Sequence, residues 1–123
     1  MTSEKDMKGT TGEKGLQLFT KAESQGLKQE LIRQLNKDLS MSGLEVSIAE
    51  ELPPGEIVRE LKVILESLVR DNFQGFLNLL YRVDVPQSKM SRSEGSFSDY
   101  IDRSTYELLK REWQKVWIRN KIR

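Results

Sequence analysis

The sequence predicts an all-α protein, a small antiparallel bundle of three to four helices behind a disordered N-terminal tail. Three observations point there. Ile57 to Val83 carries apolar residues at helical spacing over about half a helix circumference, Leu27 to Leu39 carries a second stripe of that period, and Tyr106 to Trp117 a third. Strand-like alternation occurs once, in Leu44-Glu45-Val46-Ser47-Ile48, with no second run of comparable quality to pair with it.

Residues 1–14 are rich in Lys, Glu, Thr, Ser and Gly and have no period. They bury too little apolar surface to offset the entropy of ordering. The chain is therefore read as a tail, 1–14, and a single helical domain, 15–123. Leu16, Leu18 and Phe19 form an apolar island that either docks on the bundle as a short turn or stands out as a partner-binding motif. The next stretch puts Leu27, Leu31, Ile32, Leu35 and Leu39 on one face and Glu30, Arg33, Asn36 and Lys37 on the other. Gly43 supplies its stop. The alternating segment reads as an extended connector that lays Leu44, Val46 and Ile48 on the bundle. Glu50, Glu51 and Glu56 then surround Pro53-Pro54 as an acidic loop at a helix entrance, where the helix dipole favours negative charge.

The central stretch starts after Pro53-Pro54-Gly55, because proline is tolerated in a first helical turn. It ends before Val85-Pro86, because a residue preceding proline is driven out of the α region. Its apolar arc is too wide for a helix resting on one neighbour, so a position between two partners is expected. Asp71 and Gln74 have capping-box spacing. Leu65, Val69, Phe73, Phe76 and Leu80 nevertheless run through that point in phase, and the reading is one helix over 57–83. Asp84 and Gln87 repeat the spacing and predict a short turn at 85–90, followed by a loop over Ser91 to Ser96. Ser96 with Asp99 and Ser104 with Glu107 both offer a cap for the last helix, near 99–121. Tyr106, Leu109, Trp113, Val116 and Trp117 give that helix one aromatic-rich packing face, while Leu108, Ile118 and Ile122 point elsewhere and hint at a second contact.

A chain of 123 residues is the size of one domain, and it has neither Cys nor His. Disulfides, thiolate nucleophiles and Cys-ligated metals are thereby excluded, and the commonest general base and zinc ligand are missing. A Ser-based triad lacks its base, and Gly9, Gly12 and Gly15 precede no strand-to-helix signal that would cradle a phosphate. Glu56 and Glu60 share a helix face that could in principle hold a divalent cation, but a di-metal bundle site wants a Glu-x-x-His element. No enzyme activity, cofactor or metal is expected. The polar N-terminus and the lack of any span-length apolar run suggest a cytoplasmic protein without membrane contact.

The net charge of +1 hides an asymmetry. From Arg103 onward there are seven Lys or Arg against two Glu, and the rest of the chain is acidic. Lys110, Arg111, Lys115 and Arg119, with Lys121 and Arg123, could neutralise phosphates, or could dock on the acidic face of a protein partner. Tyr81, outside the main apolar arc, could join Arg82 and Arg119 in a surface patch. The stretch Leu79-Leu80-Tyr81-Arg82-Val83-Asp84-Val85, with Glu107-Leu108-Leu109-Lys110-Arg111-Glu112-Trp113-Gln114-Lys115-Val116-Trp117-Ile118-Arg119, resembles short helical bacterial proteins of unassigned activity. That resemblance implies an all-helical cytoplasmic bacterial protein and carries over no catalytic residue. The expected function is a non-enzymatic protein-interaction or adaptor module with a protein partner. The alternative is nucleic-acid binding through the basic C-terminal helix.

Overall fold

The structure is a computed structural model that describes residues 11–89 and 95–122; residues 1–10 of the tail expected over 1–14 and most of the loop expected over 91–96 lie outside the described residues. Five α-helices and one short 3-10 turn occur among them, and no strand. They are α1 (Thr11–Ser24), α2 (Lys28–Met41), α3 (Pro54–Asp71), α4 (Phe73–Val83), the turn Gln87–Lys89, and α5 (Phe97–Lys121). The fold is all-α, as the sequence predicts.

The chain orders its helices around α5. Glu30 of α2 meets Arg119 while Asp38 meets Lys115, so α2 runs antiparallel to α5. α3 also runs antiparallel to it, with Val58 near Leu109 and Lys62 paired with Asp102. α1 and α4 run with α5: Lys14 lies over the Tyr106 ring, Phe76 sits against Tyr100, and Asp84 reaches Arg111. Phe19, Leu35, Leu61, Leu80 and Leu109 are wholly buried where these helices meet.

Two expectations are corrected. The central stretch is two helices, not one, because Asn72 (φ −153°, ψ 65°) leaves the helical region and caps α4 by accepting the Gly75 N–H at 3.0 Å. Asparagine is a preferred N-cap, and the chain turns there so that α3 and α4 pass α5 in opposite senses. Phe73, expected in the core, is thereby rotated outward and stacks on Phe76. The N-terminal island is not a short turn but part of α1, which begins at Thr11, inside the expected tail. Gly15, Phe19 and Ala22 form its buried stripe. A Cβ at Gly15 would stand 3.3 Å from Leu109 and 3.4 Å from Val58, so glycine lets three helices approach closely there.

The connector from Gly43 (φ 85°) runs back along α2 and starts α3 beside the start of α2, with Lys28 donating to the Leu52 carbonyl at 2.8 Å. Asn36, expected on the solvent face, is half-buried and grips Ile48. Its Nδ2 donates to the Ile48 carbonyl at 2.9 Å, and its Oδ1 accepts the Ile48 N–H at 2.8 Å. One side-chain amide thus replaces a strand partner. Ile48 is buried and Leu44 half-buried as expected, but Val46 faces outward. α5 opens with the Ser96–Asp99 capping box, both of whose hydrogen bonds are formed.

Because the break at Asn72 leaves Leu68 half-buried while Leu65 is fully enclosed, Leu65→Ala should cost ~2–5 kcal/mol and Leu68→Ala markedly less. Urea denaturation of the two variants measures this; equal costs would put Leu68 in the core and restore the unbroken helix.

Candidate functional site

Arg111, Lys115 and Arg119 recur every four residues along α5 and therefore share one face. Each finds an acceptor on a neighbouring element. Arg111 Nη2 lies 3.2 Å from Asp84 Oδ2 at the end of α4. Lys115 Nζ lies 3.0 Å from Asp38 Oδ2 on α2. Arg119 holds Glu30 Oε2 through Nε and Nη2 at 3.0 and 2.8 Å, and its Nη1 donates to Gln34 Oε1 at 2.9 Å. Asn120 adds a further donor to Glu30 at 3.1 Å. Gln34 closes the ladder by donating to Asp38 Oδ2 at 3.1 Å.

At the middle of the ladder lies a pair of carboxyl groups that the sequence reading did not single out. Asp38 and Glu112 are both buried. Arg82 Nε donates to Asp38 Oδ1 at 3.0 Å, so α2, α4 and α5 converge on one carboxylate. Lys115 Nζ also stands 3.2 Å from Glu112 Oε1, yet no donor among the described residues meets either Glu112 oxygen in good hydrogen-bond geometry. Burial pushes the Glu112 carboxyl up to about 9, its contact with Asp38 adds to the shift, and Lys115 only partly opposes it. Glu112 therefore holds its proton at neutral pH and can donate it to Asp38. Burial also raises Asp38, but hydrogen bonds from Glu112, Gln34 and Lys115 and the Lys115 charge outweigh it and hold that group below its ordinary value. The pair is one shared proton between two acids, neutralised by two cations.

This arrangement keeps a proton rather than delivering it. Glu112 has no exposed surface and Asp38 almost none, so neither meets a molecule in solution. Of the candidate surface residues, Arg82, Arg111, Lys115 and Arg119 are brought together by these carboxylates, and Lys110 lies over the Tyr106 ring at 5.8 Å. Tyr81 stands apart, 88% exposed. Arg82 and Arg119 do share a network, through Asp38 and Gln34, and among the described residues Tyr81 takes no part in it. Lys110 and Arg111 also line a cleft of about 290 Å³ with Asp84, Lys89 and Glu107, where both signs of charge occur. Trp113 is buried as expected, but Trp117 is 40% exposed, with Lys121 over its ring at 5.1 Å, and so leaves the packing face assigned to it. Leu108 is buried, whereas Ile118 and Ile122, expected to share a second contact with it, are exposed.

The chain matches no family model, no curated protein and no solved structure. Among the described residues no group of three or more acidic side chains could hold a metal ion, and no helix is long and apolar enough to cross a membrane.

The carboxyl pair makes stability depend on pH with a definite sign. Between about 4.5 and about 9 the unfolded chain has released the Glu112 proton while the folded chain keeps it. The Glu112 contribution is therefore complete below that window and is lost as pH rises through it. Asp38 acts in the opposite sense at the acid end, its contribution fading as pH falls below its ordinary value near 3.8. Glu112→Gln keeps a donor for Asp38 but cannot titrate, so it should flatten the decline toward alkaline pH. Urea midpoints of both proteins across that range measure this, and parallel profiles would show that Glu112 is already ionised.

Proposed function

We propose that the protein is a non-enzymatic interaction module whose partner is another protein, held by apolar surface away from the basic face of α5. A cytoplasmic setting belongs to the same reading. The observation that carries it is a groove of about 480 Å³ between the connector and α3, lined by Leu44, Val46, Val63, Ile64 and Leu68. Val63 and Val46 are exposed there, and Met41 and Phe73 are exposed nearby in sequence. Contiguous apolar surface of this kind on a small domain marks an interaction site.

The basic face supports the nucleic-acid alternative less well. Arg82, Arg111, Lys115 and Arg119 each have a carboxylate partner within the fold. Phosphates would have to displace those partners, and Trp113 is enclosed rather than free to stack on a base. Absence of turnover is part of the same proposal, since Glu112, the strongly perturbed acid among the described residues, has no access to a substrate.

A photo-reactive residue placed at Val63, and separately at Tyr81, tests this in the cell of origin. A discrete protein adduct is expected from position 63; no adduct from either position, across growth conditions, would sink the reading. Titration of a short duplex and a single strand at low and moderate salt should give no salt-sensitive binding. Binding that falls steeply with salt would transfer the function to α5.

A further inference from the structure

The groove has the connector as one wall. Gly43, Leu44, Glu45 and Val46 form that side, and Val63, Ile64, Ser67, Leu68 and Asn72 the other. The connector is held at two points: the Leu44 N–H donates to the Leu39 carbonyl at 3.1 Å, and Ile48 is gripped by Asn36. Between those anchors the N–H and C=O groups of Glu45, Val46 and Ser47 have no hydrogen-bond partner among the described residues. The segment is exposed there and belongs to no helix or strand. Free backbone N–H and C=O groups of this kind can pair with the backbone of another chain.

The electrostatics are one-sided as well. Arg59, Lys62 and Arg70 of α3 are paired with Glu56, Asp102 and Glu66. Glu45, Glu60 and Asp71 are exposed and make no ion pair among the described residues. Glu60 lies one helical turn before Val63 and Ile64, and Asp71 one turn after Leu68. The groove is therefore apolar along its floor and acidic at its margins.

We infer that this groove takes an extended apolar-and-basic peptide segment of a partner protein, which adds as a strand to the free backbone at Glu45–Ser47. Alternate side chains of that segment enter between Val46, Val63, Ile64 and Leu68, and its Lys or Arg side chains meet Glu45, Glu60 and Asp71. Dimensions agree: the run from Val63 to Asn72 spans roughly 14 Å of helix, which about four extended residues cover. A helical ligand would satisfy its own backbone and leave the connector backbone to water, so backbone pairing distinguishes the two modes. This inference rests on the interaction reading above and specifies its site and ligand.

The test pans a display library of random peptides of about eight residues, roughly 26 Å when extended, against the full chain. Val63→Lys serves as the counter-target, because its side chain is 59% exposed and the change should leave the melting curve intact. Recovered peptides should alternate apolar residues with others and carry Lys or Arg. Their affinity should fall at least about tenfold on Val63→Lys and should vanish when alternate peptide amides are N-methylated. The amide signals of residues 45–47 should shift on binding. Peptides that bind Val63→Lys equally well would overturn the groove while leaving an interaction module standing. Recovery of acidic or helical peptides indifferent to N-methylation, or of no peptide at all, would also overturn it; the cross-linking experiment then decides the broader reading separately.

Discussion

Glu112 sits on the inner face of α5, with Leu108 and Leu109 on the turn before it and Trp113 and Val116 on its other side. An ionised carboxylate there would lose several kcal/mol of solvation, so the group keeps its proton and turns it toward Asp38. That acceptor stays ionised because Lys115 and Arg82 both point at it. The consequence is positional. Sliding α5 by one turn would carry Glu112 away from Asp38 to a position now filled by Leu108 or Val116, whereas a leucine stripe alone would tolerate the slide. Three helices are thus held in one register by a contact that adds little net stability.

The same contact explains how the charge of the chain is distributed. An acidic body and a basic C-terminal segment look, in one dimension, like a protein built to meet an anion. In the fold the two halves meet each other: Glu30 and Asp38 on α2, and Asp84 after α4, take Arg119, Lys115 and Arg111. The exposed members of this ladder add little energy individually. Their effect is to close a face of α5 that would otherwise present an unbroken row of cations.

Where a helix shows its stripe at the regular period, the sequence was sufficient. α2, α5, the stop at Gly43 and the Ser96–Asp99 cap all follow from spacing. The break at Asn72 was half-visible, since capping-box spacing flagged the place, but a single non-helical residue barely disturbs the phase of the stripe around it. α1 was hidden because its buried positions are Gly15, Phe19 and Ala22, two of which carry almost no hydrophobic signal; close approach, not side-chain size, makes them core. Asn36 and Glu112 were hidden for the opposite reason. A polar residue is read as solvent-facing unless its partner is known, and both partners lie far along the chain. A trace existed for Glu112, which falls four residues after Leu108 and four before Val116, within the apolar stripe rather than opposite it.

These two polar residues also divide the molecule by role. Glu112 organises the face where α5 meets α2 and α4, and there Arg82, Arg111, Lys115 and Arg119 each have a carboxylate partner. Asn36 organises the other face by holding the connector at Ile48, and it uses both functions of its amide to do so. Nothing comparable ties down Glu45 to Ser47. The fold therefore spends its polar complementarity on closing one side, while the other keeps a free backbone segment beside exposed valines and carboxylates that form no ion pair among the described residues. A surface left in that condition gains most from a ligand that supplies backbone partners, apolar side chains and positive charge together.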